Sequence, residues 1–209
     1  MTGWLARDGA YAVFALMALD AVLPASGEVT MLVAGALAGG AIVGVHASVL
    51  GLVPAPGLEA YVVLSAAGVL GSLAGGLAGW WIGVIGGRPL IERHGRRLRM
   101  GPEALARAER WFERFGDAAV FFGRMTPVVR SFIAIPAGVL GSPLGRYMAF
   151  TLAAAVLWCF GFAAVGWALG AEWTSIDHAF RYAEALTVVT LLAAAGVMAG
   201  RRARERRRA

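Results

Sequence analysis

Residues 147–170 contain no charged side chain, and neither do residues 60–86. At 1.5 Å of rise per residue, a helix over either run can cross a hydrocarbon core about 30 Å thick. In lipid every backbone amide must be bonded within the protein, so spanning segments are helices or closed barrels. Long runs of Ala, Leu, Val and Gly without strand-like alternation select helices. The chain is 59% apolar with a mean hydropathy of +0.69, which extends the reading to the whole chain. We expect an all-α polytopic membrane protein, one domain over residues 1–209. A third spanning run, residues 183–200, is followed by a basic tail, residues 201–209, reading RRARERRRA.

The net charge is +6 and all 19 basic residues are Arg. Because these cations flank apolar runs, the positive-inside rule accounts for them without nucleic acid. The tail then reads as a stop-transfer anchor. Residues 87–117 and the tail belong on the cytoplasmic side, with the spans 147–170 and 183–200 between them. The loop around Pro54 then faces outside. Arg7 and Asp8 leave the side of the N-terminus undetermined. Within residues 87–117, residues 103–115 place Leu105, Ala108, Phe112 and Phe115 on one helical face and Arg107, Arg110 and Arg114 on another. Such a helix lies on an anionic membrane surface or packs on the protein with its basic face solvated. Cys159, the one cysteine, excludes an intrachain disulfide and reads as a packing residue.

Two stretches depart from simple spans. Residues 10–53 begin with an apolar run of insufficient length that contains Asp20, then break at Pro24-Ala25-Ser26-Gly27, and resume at Glu28. Residues 118–143 carry Arg124 and Arg130 amid apolar side chains, with Pro127 and Pro136 between and after them. Proline removes an amide donor and clashes with the preceding turn. An ionised side chain at the centre of a membrane helix costs at least ~2.5–3.5 kcal/mol. We expect each stretch to be a re-entrant hairpin, with breaks at Pro24, Gly27, Pro127, Pro136 and Gly138. Three to four spanning helices accompany them, over 58–86, 147–170 and 183–200.

A shift of 103 residues lays Pro24 on Pro127 and Ala34-Gly35-Ala36-Leu37 on Ala137-Gly138-Val139-Leu140. Each hairpin precedes a spanning helix, and the orientation argument makes those helices antiparallel. This is the pattern of an inverted repeat, which in transporters puts the substrate at the midplane between broken helices. The first of these helices carries Gly71, Gly75, Gly79 and Gly83 on one face, which permits close packing within the monomer or across a homodimer.

The charges of the two hairpins are complementary: Asp20 and Glu28 against Arg124 and Arg130. Arginine stays ionised and binds phosphate in bidentate fashion, whereas a carboxylate can exchange protons. Arg124 and Arg130 are therefore candidate phosphate ligands, and Asp20 and Glu28 candidate proton-coupling acids. Static salt bridges between the hairpins are the alternative, although buried ion pairs are poor glue. His46, His94 and His178 lie away from the arginines, and the nucleophile, metal and nucleotide motifs GxSxG, HExxH, CxxC and GxxxxGK are absent. We expect no enzyme, no metal and no cofactor.

The segment GRMTPVVRSFIAIPAGVLG, residues 123–141, resembles the signature of the DedA family within the wider VTT superfamily. It matches at Gly123, Arg124, Pro127, Arg130, Ala137 and Gly138. Residues 19–40 resemble the family's first hairpin, with Asp20 and Glu28 matching its acids by type. The Gly71–Gly87 stretch and WFERFG, residues 111–116, resemble further elements. The chain departs at PASGE in the first turn, at Gly76 where an acid is usual, and at Trp80 where a Tyr is usual. The resemblance implies a bacterial inner-membrane lipid transporter with its C-terminus in the cytoplasm. It implies a flippase, linked to the proton gradient, that returns undecaprenyl phosphate or a related anionic phospholipid. A proton-coupled ion or drug antiporter and a structural membrane-homeostasis factor are the other readings. The expected partners are the anionic lipid, protons and the membrane, with a homodimer open.

Overall fold

A computed structural model describes residues 9–21, 27–41, 55–94, 102–126 and 129–170. Pro24, Pro127, the span 183–200 and the basic tail lie outside the described residues, and all described residues fall within one compact unit, residues 1–171. Among them all regular structure is helical: α1 (Gly9–Asp20), α2 (Gly27–Ala38), α3 (Leu58–His94), α4 (Pro102–Phe115), α5 (Ala118–Met125), α6 (Val129–Phe132), α7 (Ala134–Val139) and α8 (Leu144–Gly170).

Two helical segments, Leu58–Gly87 of α3 and Leu144–Gly170 of α8, are long and apolar enough to span a membrane. α3 kinks at Gly87, whose φ of 52° suits glycine, two residues before Pro89. The outer faces of both helices are apolar, with Leu70 57%, Ile85 80% and Leu157 60% exposed. Water would penalise such faces, and lipid does not. α1 and α2, 12 residues each, are too short to cross alone.

The second charged stretch is divided into α5, α6 and α7. Pro136 sits in the first turn of α7 and does not break the chain's course: Ile133, between α6 and α7, keeps helical angles, and the amides of Ile133 and Ala137 bond to the carbonyls of Val129 and Ile133, so only one hydrogen bond is missing. The physical reason is that a proline withdraws its donor from the carbonyl four residues before it, which here is that of Phe132. Gly138 is also no break. It lies inside α7, where a Cβ would strike the Trp80 carbonyl of α3.

Small residues make the interior possible. A Cβ at Gly71 or Gly75 would meet α1 backbone, and one at Gly79 or Gly83 would meet α7. The glycine face of α3 thus packs within the chain. The internal repeat reappears as repeated contacts: Gly35 of α2 abuts the Ala163 backbone of α8, and its repeat partner Gly138 of α7 abuts Trp80 of α3. Likewise Gly166 meets Leu32, while Gly83 meets Ile135, the repeat partner of Leu32. Each short helix crosses the long helix of the other half in the same register.

The basic helix α4 seats its apolar face on protein. Leu105 packs with Ile135 against Phe132 and Val139, and Trp111 Nε1 donates to the Ala119 carbonyl at 3.1 Å. Arg107, Arg110 and Arg114 remain exposed. Part of its apolar face thus rests on α5 and α7, with the three arginines facing outward.

Candidate functional site

Charged side chains at the ends of short helices converge where the two halves meet. Asp20 ends α1, Gly27 and Glu28 open α2, Arg124 lies in the last turn of α5, and Arg130 lies in α6. Asp20, Arg124 and Arg130 are 2%, 5% and 6% exposed. Helix-terminal placement lets a long side chain reach inward while the chain turns back.

Arg130 Nη2 pairs with Asp20 Oδ2 at 2.9 Å, joining the halves. The Gly27 amide donates to Asp20 Oδ1 at 3.0 Å, which fixes the carboxylate across the turn. A Cβ at Gly27 would press on that carboxylate, so glycine here secures close approach. Glu28 Oε1 stands 3.9 Å from Arg130 Nη1, a charge contact too long for a hydrogen bond. The Glu28 side chain is 35% exposed, so it borders the site rather than filling it. The Arg130 guanidinium lies over the Trp158 ring, 4.8 Å from its centroid.

Arg124 is held differently. Its Nη2 donates to the Tyr147 hydroxyl at 2.9 Å, and that hydroxyl donates to the Gly76 carbonyl at 2.8 Å. Tyr147 is fully buried and stacks on Trp80. A Cβ at Gly76 would fall on Arg124 Nη2. Among the described residues no carboxylate pairs with Arg124, and its Nε has no acceptor. The four charges are therefore unevenly matched: Arg130 faces two acids, while Arg124 faces neutral dipoles.

The sequence reading placed Asp20, Glu28, Arg124 and Arg130 together, and three of the four are joined by contacts in this structure. It missed Tyr147, which supports Arg124, and gave Trp158 no part in the site. Tyr147, Thr151 and Trp158 recur at helical spacing on one face of α8. A polar stripe in an otherwise apolar span was the available signal. Among the described residues, no group of three or more His, Cys, Asp or Glu side chains is placed to hold a metal.

These features define a helical integral membrane protein with buried charge between two short-helix pairs. Its family follows from comparison: the VTT domain matches residues 23–168, and the chain belongs to the VTT-domain family, the wider group of the DedA signature. It is similar to undecaprenyl phosphate transporter A of Bacillus subtilis, 34% identical over 112 residues, or 54% of this chain and 57% of that protein. The Staphylococcus aureus protein of the same name is 30% identical over 170 residues, 79% of this chain and 76% of that one. An alkaline phosphatase-like protein of Lactococcus lactis is 32% identical over 130 residues, 60% of this chain and 61% of its own. The chain spans roughly half to two thirds of the length of several such relatives, the Bacillus protein included. No solved structure matches.

Proposed function

We propose that the chain is a membrane lipid transporter, most closely a flippase that returns undecaprenyl phosphate or a related anionic phospholipid across the bacterial inner membrane. The observation that carries this is a buried Arg124 that pairs with no carboxylate among the described residues. A cation so placed is costly unless an anion joins it. A lipid phosphate can supply that anion while its tail stays in the bilayer. The names of the Bacillus and Staphylococcus relatives support the substrate class.

On this reading Arg124 and Arg130 receive the headgroup. Asp20 competes with the headgroup for Arg130, and proton uptake by Asp20 or Glu28 frees that guanidinium. The hairpins are re-entrant halves of an inverted repeat, an arrangement the matched Gly35–Ala163 and Gly138–Trp80 contacts favour. The domain extends over residues 1–209, with its C-terminus in the cytoplasm.

The test is lipid return in proteoliposomes. Arg124→Ala and Arg130→Ala should each abolish movement of undecaprenyl phosphate while the protein still inserts. Wild-type rates in both variants would end the proposal. Since one relative bears a phosphatase-like name, the same vesicles should be assayed for inorganic phosphate. Its release by pure protein would replace transport with hydrolysis.

A further inference from the structure

Beyond the two arginines, one more donor at the junction lacks an acceptor. Trp158 Nε1 is buried and bonds to no protein atom. Arg124 Nε and Arg130 Nη1 share that condition. An indole N–H and a guanidinium N–H can only donate, so these three groups cannot satisfy one another, and the Glu28 carboxylate, through Oε1, stands 3.9 Å from Arg130 Nη1. Buried donors left without acceptors are rare and expensive. An isolated orphan is a packing defect, but here two of the three belong to side chains in direct contact. Arg130 lies over the Trp158 ring with Cζ 4.8 Å from the centroid.

We propose that Trp158 is a headgroup ligand, its indole N–H donating to the same oxyanion that Arg130 Nη1 receives. The inference rests on the lipid-phosphate reading and narrows it: the ligand presents at least two acceptor oxygens and no donor at this pole. A phosphate monoester satisfies that description. A phosphocholine offers such oxygens too, but carries one negative charge offset by its own quaternary ammonium, so it should bind more weakly. The ring has a second duty. It covers the guanidinium and excludes water, so Arg130 is held by a π face and a carboxylate until the anion arrives.

The probe is dodecyl phosphate, with dodecyl phosphocholine as control, titrated into the full-length protein in a nonionic detergent. Trp158→Phe keeps a ring over Arg130 and removes the N–H. A hydrogen bond to a charged group is large enough that affinity for dodecyl phosphate should fall about tenfold or more, with the ligand-free melting temperature nearly unchanged. Equal affinity in wild type and W158F would overturn the assignment and leave the transporter reading intact. Failure of the wild type to bind dodecyl phosphate would overturn both. Should W158F not fold, the wild-type protein labelled with 15N at its indoles answers the question. The chain has 7 Trp, and the resonance left over after Trp→Phe substitution at the other positions is Trp158. Dodecyl phosphate should move that N–H resonance downfield, and at lower concentration than dodecyl phosphocholine does. An unmoved resonance at saturating dodecyl phosphate overturns the proposal.

Discussion

Replacing the two buried arginines by methionine should move stability in opposite directions. Arg130→Met removes the ion-pair contact to Asp20, a carboxylate 2% exposed and 2.9 Å away. Breaking a buried pair from one side costs about 3–5 kcal/mol, because the remaining charge is left uncompensated. The Gly27 amide still donates to Asp20, which argues for the lower half of that range. Arg124→Met removes a cation whose partners are a hydroxyl and, through it, a carbonyl. Tyr147 keeps its bond to Gly76, so no buried group is orphaned. The lost hydrogen bond to a charged group is worth about 1.5–3 kcal/mol, against a desolvation penalty of several kcal/mol that disappears with the charge. The balance lies between zero and a gain of about 2 kcal/mol. For a chain of this size each kcal/mol moves the melting temperature by roughly 2–4 °C. Thermal unfolding of ligand-free protein in detergent should show R130M well below wild type, by roughly 6–16 °C on that scaling, and R124M at or above it. Equal losses in the two variants would refute the view that Arg124 is uncompensated.

Other consequences are direct. Tyr147→Phe strips the hydroxyl from Arg124 and the donor from the Gly76 carbonyl, so stability should fall by about 1–3 kcal/mol in the same unfolding assay. Gly35→Ala and Gly166→Ala push a Cβ into backbone across the α2–α8 contact. Each should cost about 1–3 kcal/mol or more. Gly161→Ala, where a Cβ meets nothing within 4 Å, should stabilise the exposed face of α8 by roughly 0.5–1 kcal/mol. Gly27→Ala displaces the Asp20 carboxylate from Arg130 and should slow lipid return in vesicles, although no charge is altered.

Charge made the site legible in the sequence. Asp20, Glu28, Arg124 and Arg130 are conspicuous because lipid penalises each, and opposite signs in two hairpins suggested their pairing. The 103-residue shift was visible because it lays Pro24 on Pro127 and one Ala-Gly run on the other. The division of labour between the arginines was not legible. That Arg130 meets Asp20 while Arg124 meets Tyr147 depends on where α8 crosses α5, a tertiary fact with no local signal. Trp158 was hidden for another reason: an indole inside an apolar run looks like packing until its N–H is seen without an acceptor. Pro136 reads as a break in sequence, but near the start of a helix it only withdraws a donor from the Phe132 carbonyl and the run stays helical. α4 showed its two faces in sequence, but only Leu105 against Ile135 decides that the apolar one rests on protein.

The central claim is that Arg124 is a bare cation kept for a lipid phosphate. Its most direct test is the affinity of Arg124→Met for dodecyl phosphate in detergent, read alongside its melting temperature. A folded variant that is as stable as wild type and no longer binds is the predicted result. A folded variant that binds with wild-type affinity would contradict it.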